Sequence, residues 1–123
     1  MPYSTYLKNA WLNTLRNVSF SVATTYASLH SANPGNTGAS ELSGGSPAYA
    51  RKAVAWNAAT GGAMDDSTNG AVFDVPAGAT VAFVGLWDAL TNGNFLGYAD
   101  VTDEAFAAQG TYTLTDADLD LNS

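Results

Sequence analysis

Along residues 4–18 apolar side chains recur at Leu7, Trp11, Leu15 and Val18, with Asn9, Asn13, Arg16 and Asn17 opposite them. That spacing predicts a single amphipathic helix. Ser4 is placed to cap its N-terminus, and the β-branched and aromatic residues after Arg16 end it. A lone helix ahead of a β domain covers an open end or face of the sheet. The alternative is an anchor whose apolar stripe, Leu7, Trp11 and Leu15, docks in a groove on a partner.

From Phe20 the period changes to two. Phe20, Val22, Thr24, Tyr26 and Ser28 point one way and Ala23, Thr25, Ala27 and Leu29 the other, which predicts a strand ending near His30. Pro34 then presets φ for a turn and Gly35 supplies the positive φ of a type II turn. A long loop follows, through Gly38 and on to Gly44, Gly45, Ser46 and Pro47. Strand character returns over 48–56 and breaks at Gly61 and Gly62; further strands are predicted over 71–75, 80–87, 95–99, 111–115 and 117–121. Pro76-Ala77-Gly78 and Asn92-Gly93-Asn94 read as turns, Asp65-Asp66 as a loop, and Asp103-Glu104 as a short acidic turn. The segment 80–87 is nearly apolar on both faces and belongs in the middle of the sheets. Short strands punctuated by Gly, Pro and Asn predict an all-β fold, a compact β-sandwich or jelly-roll-like domain over 19–123, with the helix in 1–18.

Composition narrows what such a domain does. The 123 residues fit one module, and charged residues are 12% of them, about half the usual share of roughly 25%. The surface is therefore rich in Ser, Thr, Asn, Gly and Ala, which suits a protein packed against neighbours. Lys8, Arg16, Arg51 and Lys52 are the only cations, and Glu41 is the only acid before Asp65, giving the first half +3; ten acids and no Lys or Arg follow, giving −10. Four scattered cations cannot neutralise a run of phosphates, so nucleic acid is not an expected partner. A basic N-terminal segment meeting an acidic C-terminal surface on a neighbour is one reading of this polarity, and a solvated acidic face is the other. No signal-peptide pattern opens the chain, and no apolar run approaches a membrane span.

Candidate chemistry is sparse. His30 is the only histidine and cysteine is absent, which leaves one candidate base and no thiolate or multi-His metal site. Gly44-Gly45-Ser46-Pro47-Ala48 lacks the closing glycine of a nucleophile elbow and does not join a strand to a helix. His30 is instead expected to cap a strand end beside the Pro34-Gly35 turn. Asp116, Asp118 and Asp120 form a D-x-D-x-D run without the glycine and distal glutamate of an EF-hand loop. On an edge strand the same spacing sets three carboxylates in solvent and Ala117, Leu119 and Leu121 inside. No Walker loop or dinucleotide fingerprint is present. No catalytic residue, cofactor or metal site is expected. Trp11, Trp56, Trp87 and the tyrosines read as core or interface, with a sugar-binding platform as the alternative.

Two ordered blocks carry a family resemblance. The first is residues 29–38, then Glu41, Gly44-Gly45 and Ala48-Tyr49-Ala50-Arg51; the second is Phe73-Asp74-Val75-Pro76-Ala77-Gly78 through 84–89 and 93–97. Together they resemble a family of small structural proteins of tailed bacteriophages, commonly labelled tail fibre or minor tail proteins. The resemblance implies a virion component. Such a component is expected to be made in the host cytoplasm, to bind other virion proteins and to form a homo-oligomer in the particle. The chain has no repeat, heptad or collagen-like run from which to build a shaft. Capsid decoration is therefore the first expectation, with a minor tail or tail-fibre role, or a carbohydrate- or receptor-binding module on loops 31–47 and 57–70, as alternatives. The motif residues Pro34, Gly35, Gly38, Glu41, Tyr49, Arg51, Asp88 and Gly93 are expected to have structural roles. Glu41 pairs with Arg51 to fasten the long loop, and Asp88 accepts backbone N–H bonds in the turn after the central strand.

Overall fold

The computed structural model describes residues 2–67 and 70–122. The chain runs through α1 (Thr5–Thr14), β1 (Thr25–His30), β2 (Lys52–Val54), β3 (Ala63–Asp65), β4 (Ala71–Val75), β5 (Thr80–Trp87), β6 (Phe95–Ala105), β7 (Gly110–Leu114) and β8 (Asp118–Asp120). β2, β1, β5 and β6 form one antiparallel sheet in that order, while β3 pairs with β8 and β4 with β7 as two-stranded ribbons. The fold is all-β with one short helix. The apolar segment 80–87 is β5, interior to the large sheet, as its two apolar faces require. Leu29, Phe73, Val75 and Val81 are fully enclosed where the large sheet meets the β4–β7 ribbon.

The helix is shorter than its apolar period suggests. Ser4 caps it, its hydroxyl accepting from Leu7 N–H at 3.2 Å. At the other end Asn17 enters the left-handed region (φ 65°). Val18 N–H then donates to Asn13 O and Asn17 N–H to Thr14 O, the paired bonds of a Schellman turn. Val18 therefore lies beyond the helix, and Leu15 at its end is 86% exposed. The inward face holds Leu7, which is buried, and Trp11, whose ring meets Tyr3 edge-on at 5.0 Å. Ser4 N–H donates to Leu96 O and Tyr98 N–H to Pro2 O, so the N-terminal segment covers the start of the β6 edge. Asp100, Asp103 and Glu104 follow along that edge strand and discourage further pairing.

Several boundaries move for reasons of partnership. β1 begins at Thr25, not at Phe20, because β2 reaches only to Val54 opposite Thr25. Phe20 and Val22 instead line an apolar cavity of ≈ 220 Å³ beneath the helix, with Leu7 and Trp11. The strand expected over 48–56 shortens to three residues, the ones paired with β1, while Ala48 bridges Gly45 across a tight turn and Trp56 bridges Asp66. β6 extends to Ala105 through two register shifts against β5, so Asp103 and Glu104 lie in a strand and not in a turn. Asp65 likewise ends β3 opposite Asp118, where a loop was expected, and Asp66 bridges to Trp56. Leu121 is exposed, because β8 ends at Asp120 before the inward alternation reaches it.

Candidate functional site

The densest polar arrangement is built on the loop between β1 and β2. Glu41 takes Arg51 in a bidentate pair, Nε to Oε2 and Nη2 to Oε1, both at 2.9 Å. Arg51 Nη1 donates to the carbonyls of Ala89 (2.9 Å) and Asn92 (2.8 Å), and its guanidinium lies over the Trp87 ring, 3.7 Å from the centroid. Tyr49 OH donates to Glu41 Oε2 at 2.8 Å and accepts from Leu29 N–H at 3.0 Å. One charged pair thus joins β1, the long loop, the start of β2 and the turn after β5. Burial pushes the Tyr49 phenol well above its ordinary range, with the Glu41 carboxylate adding to that effect.

A second buried set lies beside it. Ser28 and His30 are two residues apart on β1 and share one face of the strand. His30 Nδ1 lies 2.8 Å from Ala39 O, which can only accept, so Nδ1 carries the proton. Nε2 then accepts from the Ser28 hydroxyl at 2.7 Å, and Ser28 Oγ accepts from Trp87 Nε1–H at 3.0 Å. Burial lowers the His30 pKa and keeps the imidazole neutral, outweighing the Ala39 carbonyl and Glu41. Both ring nitrogens are committed to Ser28 and Ala39, neither to Ser46, whose backbone N–H donates to Gln109 Oε1.

The remaining motif residues shape loops around these two sets. Pro34 is fully buried, and Asn33 Oδ1 accepts from Gly35 N–H at 2.8 Å, with Gly35 at φ +62°. Gly38 passes against two rings: a Cβ there would stand 2.6 Å from Trp87 Cη2 and 2.8 Å from Phe95 Cδ1. Asn92 (φ 55°) and Gly93 (φ +80°) form the turn after β5. Asp88 closes it, Oδ1 accepting from Asn94 N–H at 2.7 Å and Oδ2 from Asn94 Nδ2 at 2.9 Å. Asn36 Oδ1 accepts from Thr5 N–H at 2.7 Å, tying the same loop to the first turn of α1.

The acidic run divides. Asp116 and Asp118 gather with Asp65, their carboxylate oxygens within 4.8 Å of one another and exposed. A hydrogen bond shared with Asp65, then loss of hydration and the neighbouring carboxylates, push Asp118 up to about 6; Asp116 is raised as well, first by loss of hydration. Asp120 stands apart and is held below its ordinary value by Asn122 N–H and Nδ2. Its backbone N–H and carbonyl both bond to Tyr3 OH, at 2.9 and 2.8 Å, which joins the N-terminal segment to β8. Of the apolar stripe predicted for docking, Leu7 is taken up by the chain's own core and Trp11 is half-buried, so only Leu15 remains on the surface.

The Glu41–Arg51 pair and the Asp88 turn were legible in the sequence, whereas Trp87 beneath Arg51, Ser28 beside His30, Asn36 on Thr5 and Tyr3 on Asp120 were missed. The alternation of β1 carried a signal for one of them, since it puts Ser28 on the same strand face as His30.

Fold and site together define a structural module: an all-β domain whose buried polar groups fix loops to strands. A family model described as podophage GP4 fiber I protein gp80 matches residues 2–121, and the chain belongs to that family. It is a bacteriophage virion structural protein of tail-fibre type, which implies association with other virion proteins. No curated protein matches the chain. Among the described residues no helix is long and apolar enough to cross a membrane.

Proposed function

We propose that this chain is a non-enzymatic component of a podophage tail fibre, a compact module that binds neighbouring fibre or tail proteins. The observation that carries this reading is the match to a podophage fibre family along residues 2–121. It fits a tail-fibre role better than the capsid-surface position that compactness alone favoured. A compact chain without a shaft of its own fits a fibre in which other chains supply the length.

The structural roles of the motif residues support the absence of catalysis. His30 and Arg51 are buried and bonded to fixed partners within the fold. Loop 31–47 is stapled through Glu41, and Trp87 is covered by Arg51, so neither offers an aromatic platform for a sugar. The second loop considered for that role, 57–70, includes residues 68 and 69, which lie outside the described residues.

Deletion of the gene tests the assignment. Particles lacking the protein are expected to keep DNA-filled heads and to lose fibre density and adsorption to host cells. Heads that leak or collapse while fibres remain intact would return the protein to the capsid.

A further inference from the structure

The outward face of α1 is unusual for a helix at a protein surface. Leu12 is 63% exposed and Leu15 86%, and the exposed side chains of Lys8 and Arg16 flank them. Leu15 and Arg16 follow α1 in the tighter turn that closes it, which leaves the four positions on one side of the axis, within about 120° of arc. Two of the four cations in the chain therefore border its two most exposed leucines. Arg51, by contrast, is committed to Glu41. A pair of leucines rimmed by cations calls for an apolar recess rimmed by anions.

The same chain carries such a recess. Val84 and Leu86 of β5, with Val101 of β6, floor a cleft of ≈ 100 Å³ walled by Leu114 and Leu119. Asp116 and Asp118 also line it, both exposed, and Asp65 crowds against them. Their carboxylate oxygens lie within 4.8 Å of one another, so like charge gathers there with no cation beside it in the cluster. An arriving pair of cations supplies what the rim lacks.

We propose that copies of this chain join head to tail, the Leu12–Leu15 stripe of one copy seated in the Leu114–Leu119 cleft of the next, with Lys8 and Arg16 against Asp116 and Asp118. The occupant is a second copy because both halves of the match, apolar and charged, lie on one chain with +3 in its first half and −10 in its second. The two surfaces differ, so the contact is heterologous and builds a closed ring or an open row. This contact stands independently of where in the virion the protein sits.

The experiment is sedimentation velocity on the full chain over a concentration series, at low and at physiological salt. The wild type is expected to associate beyond the monomer, more strongly at low salt. Two charge-reversed proteins separate the surfaces: Lys8→Glu with Arg16→Glu, and Asp116→Lys with Asp118→Lys. Each alone should associate about tenfold more weakly or worse. Mixed together they should regain association, because each reversed surface then meets its complement on the other variant. Thermal melts no lower than that of the wild type show that both variants are folded, and Leu15→Asp, at a largely exposed position, gives an independent loss. A wild type that stays monomeric throughout overturns the proposal. So does association that survives both reversals, or a mixture that associates no better than its parts.

Discussion

The guanidinium of Arg51 rests on the ring of Trp87 at 3.7 Å while its two edges hold Glu41 and the carbonyls of Ala89 and Asn92. A planar fork is needed for this, because an ammonium can neither bind the carboxylate bidentately nor stack flat on the indole. Arg51→Met leaves the Glu41 carboxylate without its partner and should cost about 3–5 kcal/mol. Arg51→Lys should recover only a minor part. Urea unfolding measures both, and hydrogen exchange should show loop 31–47 losing protection first.

Ser28 sits between a donor and an acceptor: it accepts from Trp87 and donates to His30. Ser28→Ala removes both bonds in a site closed to water and should cost about 1–3 kcal/mol. Trp87 fluorescence provides a local reading, since its indole N–H loses its acceptor.

The His30 pKa is lowered by burial, so the unfolded chain binds a proton that the folded chain refuses. Its contribution to stability is complete above the unfolded value of 6.5 and is lost as pH falls below it. The wild type should therefore lose stability on acidification relative to His30→Gln, by denaturant midpoints at about pH 8 and about pH 5. Equal pH slopes in the two proteins would contradict this.

Asp118 titrates with the opposite sign. Its folded pKa is raised to about 6, so the folded state favours the protonated acid and loses that advantage as pH rises through 6. Asp118→Asn should raise the melting temperature above about pH 7 and leave it nearly unchanged at about pH 4. Because His30 and Asp118 act oppositely in neighbouring windows, each is read from the difference between its variant and the wild type.

Gly38 is fixed by the rings it touches. Gly38→Ala brings a methyl group inside van der Waals contact of Trp87 and Phe95 at a positive φ. The loss should reach about 1–3 kcal/mol, as for other overpacked sites, and denaturant titration measures it.

Much of the fold could be read from local pattern. β4 and β5 sit where alternation and apolar content put them, with Pro76-Ala77-Gly78 and Asn92-Gly93 as the turns that bound them. The helix end escaped, because Leu15 and Val18 continue the apolar period while Asn17 stops the backbone. β3 escaped for a different reason: three residues after Gly61-Gly62 become a strand only through pairing with β8, more than fifty residues away. The site divides in the same way. Glu41 and Arg51 carry opposite charge in a chain poor in charge, so their pairing is legible. The carbonyls of Ala39, Ala89 and Asn92 are backbone groups that every residue has, and only the folded chain brings them to His30 and Arg51.

Cryo-electron reconstruction of the particle tests the proposal that this module works in the fibre of a podophage. The all-β fold, with its N-terminal helix, should fit density in a fibre or where a fibre joins the tail. Density for the same fold at the symmetry axes of the capsid, with none in the fibres, would contradict it.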